Sequence, residues 1–121
     1  MAFTNAFKAL LLDAQFQNGT VWVSLHTGDP STTGANELSG NGYGRVLMEF
    51  NAAGVDGITE NTNIETFGPA IPSGWTQATY FGLWSAETVG TFRGGFVLTT
   101  PKTVAAGETA HFAAGALTVS I

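Results

Sequence analysis

Val21-Trp22-Val23-Ser24-Leu25-His26 is the stretch that decides the fold. Val21, Val23 and Leu25 alternate with Trp22, Ser24 and His26. A period of two belongs to a strand, because successive side chains leave opposite faces of a pleated backbone. The alternation predicts a half-buried strand, with Ser24 and His26 sharing its open face.

Downstream, residues 27–42 form a polar stretch rich in Gly, Ser, Thr and Asn. It runs longer than an ordinary connection, so it is either functional or loosely ordered. Further strands are predicted over 43–50, 57–61, 64–67, 78–84, 91–98, 103–105, 109–112 and 116–120. They are short and broken by Gly or Pro roughly every 8–12 residues, the spacing of a sandwich or barrel. The 17 threonines fit this pattern, since β-branched side chains suit a pleated surface. No crossover helix follows residue 19, so the sheet must be mainly antiparallel. The predicted fold is mainly β: an antiparallel β-sandwich or jelly-roll-like barrel with one N-terminal α-helix.

That helix is predicted over 4–17. Thr4 serves as N-cap, and Phe3, Phe7, Leu10, Leu11 and Ala14 recur at helical spacing along one stripe. Asn18-Gly19 is the stop signal. About three turns of helix cannot bury such a stripe alone, so it packs on its own sheet or on a neighbouring chain.

Composition bounds the rest. The 121 residues fit one domain over 1–121, with the helix followed by a β domain over 20–121. A hydrophobic fraction of 44% with nine Phe and three Trp supplies a core. Only four basic residues are present, Lys8, Arg45, Arg93 and Lys102, and the net charge is −5. They are too scattered for the basic stripe that nucleic acid requires or the polybasic patch of a membrane surface, so neither partner is expected. With no cysteine there is no disulfide framework or thiolate chemistry. The apolar run at 7–12 is interrupted by Lys8 and followed by Asp13, which does not read as a signal peptide; synthesis in the cytosol is expected.

Candidate chemistry is sparse. His26 lies near Asp29 and Glu37, a donor set that divalent metals accept, but without the fixed spacing of a metal motif. The preferred reading has Asp29-Pro30 opening a turn and His26 as a polar residue on the open face. Ser24 shares the face of His26, yet no Gly-x-Ser-x-Gly elbow is present. His111 has the opposite parity to Phe112, which sends it to the surface or a subunit interface. Gly40-Asn41-Gly42-Tyr43-Gly44 opens a strand rather than a helix, so it reads as a flexible loop and not a phosphate cradle. Asn18-Gly19-Thr20 matches a glycosylation sequon but reads as a turn. Glu60 and Glu65 flank a predicted hairpin turn, Asn61-Thr62-Asn63-Ile64, as solvated charges rather than a glycosidase pair. Trp75, between Gly74 and a further strand, either caps the core edge or is an exposed anchor for a partner. No cofactor, no metal and no catalytic residue is expected.

At the polar stretch the chain resembles a known group. The residues are Leu25-His26-Thr27-Gly28-Asp29-Pro30, then Gly34-Ala35-Asn36-Glu37-Leu38-Ser39-Gly40, then Tyr43-Gly44-Arg45. Weaker matching segments are Tyr80-Phe81-Gly82-Leu83-Trp84-Ser85-Ala86, Lys102-Thr103-Val104, Gly107-Glu108 and 112–117. Together they resemble small tailed-phage virion proteins commonly labelled phage tail fibre proteins. The resemblance implies a structural protein of the virion, made in the bacterial host cytoplasm, with no catalytic motif to transfer. The matched residues then read as fold or assembly markers, with Arg45 pairing to Glu37 or Asp29 to pin the loop.

Position in the particle stays open at this point. A compact chain with little charge and no fibrous repeat favours a capsid decoration or cement protein, a homotrimer on the major capsid protein. A tail fibre or tail-tip component bound to other tail proteins is the alternative, and a small glycan hydrolase the distant third. Phe3, Phe7 and Trp75 are the candidate interface residues; Asp29, Glu37 and Arg45 are the candidate loop clamp.

Overall fold

A computed structural model describes residues 3–14, 21–52 and 57–120. The decisive stretch forms β1 (Val21–His26). It lies at the centre of a four-stranded sheet with β2 (Val46–Met48), β5 (Trp75–Trp84) and β6 (Phe92–Val104), in the order β2-β1-β5-β6. All three pairings are antiparallel, with Val23 opposite Val46 and Leu83, and Phe81 opposite Phe96. Two ribbons complete the domain. β3 (Ile58–Glu60) pairs with β8 (Thr118–Ser120), and β4 (Glu65–Phe67) pairs with β7 (Ala110–Phe112), again antiparallel. The mainly β, antiparallel architecture agrees with the sequence reading, and the two-layered arrangement is that of a sandwich.

One apolar cluster joins these pieces. Val21, Val23 and Leu25 of β1, with Phe81 and Leu83 of β5, meet Phe67, Phe112, Leu117 and Val119 from the ribbon side, all buried. The rings of Phe67 and Phe112 pack edge to face, 5.7 Å between centroids.

Several expected boundaries shift for identifiable reasons. The strands expected at 91–98 and 103–105 are one long strand, β6, running through Pro101. Proline is tolerated because β6 is the edge of the sheet. Pro101 also falls where register slips: Ala78 faces Lys102, but Tyr80 faces Val97, so extra residues bulge out of β6. The turn at 61–64 is not a hairpin, because β3 and β4 belong to different ribbons. Asn61 causes the divergence. Its buried amide donates to Asn63 O at 2.8 Å and Ala113 O at 3.0 Å, and its Oδ1 accepts from Leu117 N at 2.9 Å. Glu60 and Glu65 are half-buried rather than fully solvated. Glu65 has its carboxyl pushed up by desolvation and by Glu49.

The only α-helix among the described residues is α1 (Asn5–Leu12). Thr4 caps it, its hydroxyl accepting from Phe7 N at 3.2 Å. The remainder of the expected helical span at 15–17 and the Asn18-Gly19-Thr20 turn lie outside the described residues.

β1 departs from the sequence reading most. It is not half-buried: Ser24 and His26, assigned to an open face, are both 0% exposed. The polar stretch at 27–42 folds back over that face and gives the sheet a second cover. Two glycines make the fit possible. A Cβ on Gly95 would run into the ring of buried Pro30, and one on Gly82 would sit 2.6 Å from Ser24 Oγ and 2.7 Å from His26 Nε2. The backbone of Gly95 is not left-handed, so space alone selects glycine there. Gly95→Ala should therefore lower unfolding free energy by about 1–3 kcal/mol, the usual scale of overpacking, read as a fall in the urea midpoint at unchanged slope. An unchanged midpoint would show that Pro30 does not seat on the sheet.

Candidate functional site

The site is the place where the 27–45 segment meets the second face of β1. After β2 stops opposite Val21–Val23, the loop takes over the edge of β1: Leu38 N donates to Leu25 O and Thr27 N to Asn36 O, both at 2.9 Å. The loop's backbone groups are thus satisfied by strand pairing, as buried amides must be. Asp29 shapes the entry, its Oδ1 accepting from Ser31 N at 2.8 Å. Asn36, in a left-handed conformation with φ 65, returns its amide to Asp29 O at 3.0 Å.

Beneath the loop lies a closed chain of hydrogen bonds. His26 Nδ1 is 2.7 Å from the carbonyl of Ala35, which can only accept, so this nitrogen carries the proton. Neutral Nε2 then accepts from Ser24 Oγ at 2.6 Å, and Ser24 Oγ in turn accepts from Trp84 Nε1 at 2.8 Å. Every polar atom is satisfied only while His26 is neutral, and burial pushes its pKa below the ordinary 6.5. Ser24 and His26 do share a face, but the pair is sealed from solvent. The imidazole is oriented by a backbone carbonyl, and both ring nitrogens are engaged. Neither nitrogen is left for a metal. Among the described residues no group of three or more His, Cys, Asp or Glu comes together to hold one.

Above the loop sits Arg45. Its Nε and Nη2 donate to the two carboxylate oxygens of Glu37, each at 3.0 Å, a bidentate fork. Nη1 donates to Ala86 O at 3.0 Å and Val89 O at 2.9 Å, in the turn between β5 and β6. The guanidinium lies over the Trp84 ring, 3.6 Å from its centroid. Tyr43 completes the group: its hydroxyl donates to Glu37 Oε2 at 2.8 Å and accepts from Leu25 N at 3.0 Å. Burial pushes this phenol far above its usual range, so it stays a donor. Of the three residues read as a clamp, the structure joins Glu37 and Arg45. Asp29 works separately in its own turn.

The other singled-out residues fall as follows. Trp75 is 6% exposed, which corrects its place among the interface residues. Its indole donates to Asn41 O at 2.9 Å and its ring meets Tyr43 edge to face, so it caps the core. The glycine-rich 40–44 segment, read as a flexible loop, is held at its centre by Asn41 and Gly42. Asn41 O also accepts from Ile71 N, and a Cβ on Gly42 would meet Pro69 O at 2.5 Å. His111 is exposed, between Thr66 Oγ1 at 3.0 Å and Thr109 Oγ1 at 2.8 Å. It borders an open groove of about 540 Å³ with Lys102, Thr99, Thr118 and Ile64. Phe3 and Phe7 are 50% and 44% exposed. The sequence offered no sign of Trp84, Ala35, Ala86 or Val89 as partners; the last three contribute backbone carbonyls, which any residue supplies.

Two outcomes follow. Arg45→Ala strands a largely buried Glu37 and should destabilise by about 2–4 kcal/mol, and Arg45→Lys should recover only part, lacking the fork and the stacking. Urea melts of the two variants check this, and equal stability of Arg45→Ala and the parent removes the clamp. The second outcome concerns pH. The unfolded chain protonates His26 near 6.5, above the folded value, so protons favour unfolding. Stability is complete above pH 6.5 and falls as pH drops toward the folded pKa. Glu65, with a raised pKa, acts in the opposite sense as pH falls. The parent should lose more stability between pH 7.5 and 5.5 than His26→Asn, which keeps a donor for Ala35 O; equal losses would show that His26 does not titrate as described.

Sequence comparison adds identity to this geometry. No curated protein matches the chain. A family model described as podophage GP4 fiber I protein gp80 matches residues 2–120, nearly the whole chain. That agrees with the resemblance to phage tail fibre-type proteins and gives the chain a phage structural role. With this extent of match, the chain belongs to the podophage GP4 fiber I protein gp80 family.

Proposed function

We propose that this chain is a structural component of a podophage tail fibre, acting by contact with other virion subunits rather than by catalysis. The observation that carries the reading is the family match over residues 2–120, to a family described as a fiber protein. The architecture supports the non-catalytic part. Ser24 and His26 are sealed under the loop, and Glu60 and Glu65 sit on separate ribbons. The extensive tying of the 27–45 segment also suits a building block, because a preorganised surface loses less entropy on assembly.

A second reading, a capsid decoration protein on the major capsid protein, draws on one observation. The described residues form a compact β structure around a single core cluster, without the repeats or long coiled coil of a fibre shaft.

Antibody labelling of intact particles, with copy number from quantitative mass spectrometry, separates the two. Label at the tail, with copies far fewer than the major capsid protein, is the expected result. Label over the head, at copy numbers comparable to the capsid protein, overturns the fibre reading and favours decoration. Turnover of a defined glycan that is lost on His111→Ala would overturn the non-catalytic part.

A further inference from the structure

The groove bordered by His111 has no part in the Arg45 clamp or in the polar chain beneath the loop. It is open, about 540 Å³ in volume, and runs between β6 and the segment from β7 to β8. Small-ligand sites occupy about 300–1,000 Å³. Buried Leu98 and Phe112 form its base, and Ile64, 66% exposed, leaves apolar surface along its wall.

The charge in the groove is the reverse of the chain's. The whole chain carries −5, yet among the described residues that line the groove none is acidic, and Lys102 and His111 are both there. Arg45 is neutralised by Glu37. Lys102 has no carboxylate partner among the described residues; its ammonium lies 5.3 Å from the centroid of the Phe112 ring. Glu60 approaches only behind Gly115, where a Cβ would meet its Oε2 at 3.1 Å. A ligand that fits carries negative charge, but little of it. One ammonium on an acidic chain cannot hold a dense polyanion such as nucleic acid.

Hydroxyls supply the rest. Thr99, Thr100 and Thr118 line the groove and are exposed. At the rim, His111 is held between Thr66 Oγ1 at 3.0 Å and Thr109 Oγ1 at 2.8 Å. In either protonation state the imidazole donates from at least one nitrogen. At least one of these threonines therefore accepts from the ring and keeps its own proton for a ligand. Threonine hydroxyls both donate and accept, which matches a ligand whose own polar groups are hydroxyls. A ring already held from both sides loses little entropy on binding.

A peptide is the poorer fit. Extended peptides gain affinity by adding to a strand edge. On the β6 side of the groove that edge is interrupted by the bulge and by Pro101, which has no N–H to give.

We propose that this groove binds a saccharide bearing an occasional carboxylate, the carboxylate on Lys102, the hydroxyls on the threonines and the apolar ring face against Ile64. Such binding goes beyond the structural role and is the same for a fibre or a decoration protein, so the labelling result neither supports nor removes it.

Titration of the full chain, followed through its amide chemical shifts, tests the site. The probe is a tetrasaccharide with one glucuronate; the control is the same tetrasaccharide with that carboxyl reduced to the alcohol. Saturable shifts centred on 98–102 and 111–118 are expected, with the reduced sugar about tenfold weaker, the loss of one charge-assisted hydrogen bond. Lys102→Met, which keeps the stem, should weaken the acidic sugar by the same factor, and Lys102→Arg should recover most of it. Thr99→Val with Thr118→Val should weaken both sugars alike. No saturable shifts in the parent, equal binding of the two sugars, or unchanged binding by Lys102→Met overturns the proposal. A tetrapeptide with one glutamate that binds more tightly than the acidic sugar overturns it in favour of a peptide partner. The two parent titrations decide the matter even if a variant fails to fold.

Discussion

The guanidinium of Arg45 joins parts of the chain that have no strand pairing with one another. It binds the carboxylate at the end of the polar loop, two carbonyls in the turn between β5 and β6, and the face of the indole that ends β5. A planar group with a fixed fork can do this at once; a flexible ammonium cannot. Without it, Glu37 would lie largely buried beside the Tyr43 phenol with its charge uncompensated. The loop's cover over β1, and hence the closed polar chain beneath it, depends on this joint.

The strain in the neighbouring turn fits the same account. Val89 is a β-branched residue at φ 57, a conformation that its side chain disfavours, and that side chain is 85% exposed. Burial of Val89 does not explain the conformation. Its carbonyl does, since it is aimed at Arg45 Nη1. A local cost in one turn is offset by bonds that hold two distant segments together.

The alternation in β1 and the parity of Phe112 and His111 made the strands and the inner core face legible, because both express a period of two. The apolar stripe of Phe7, Leu10 and Leu11 in α1 was equally plain. The cover on the outer face of β1 was not. Ser24 and His26 look like ordinary solvent-facing residues when neighbours in sequence are all that is visible, and the cover comes from Pro30, Ala35 and Trp84, of which Trp84 lies far along the chain. Pro101 misled for a related reason: a proline stops a central strand but not an edge strand, and edge position is a property of the whole sheet. Arg45 was found as a clamp because acidic partners were few and close; its carbonyl partners, far along the chain, left no mark in residue type.

The long edge of β6 has a bearing on how copies of this chain accumulate. An unpaired edge of this length is a template onto which a foreign strand could add, and repeated addition would give open-ended aggregates. Here the edge is broken midway by the bulge and by Pro101, which lacks a donor, with the charge of Lys102 next to it. Such features are the means by which natural sheets discourage lateral growth. What remains is two short stretches of edge set apart by the break, a poor template for a further strand, so a single proline limits how far such growth could run.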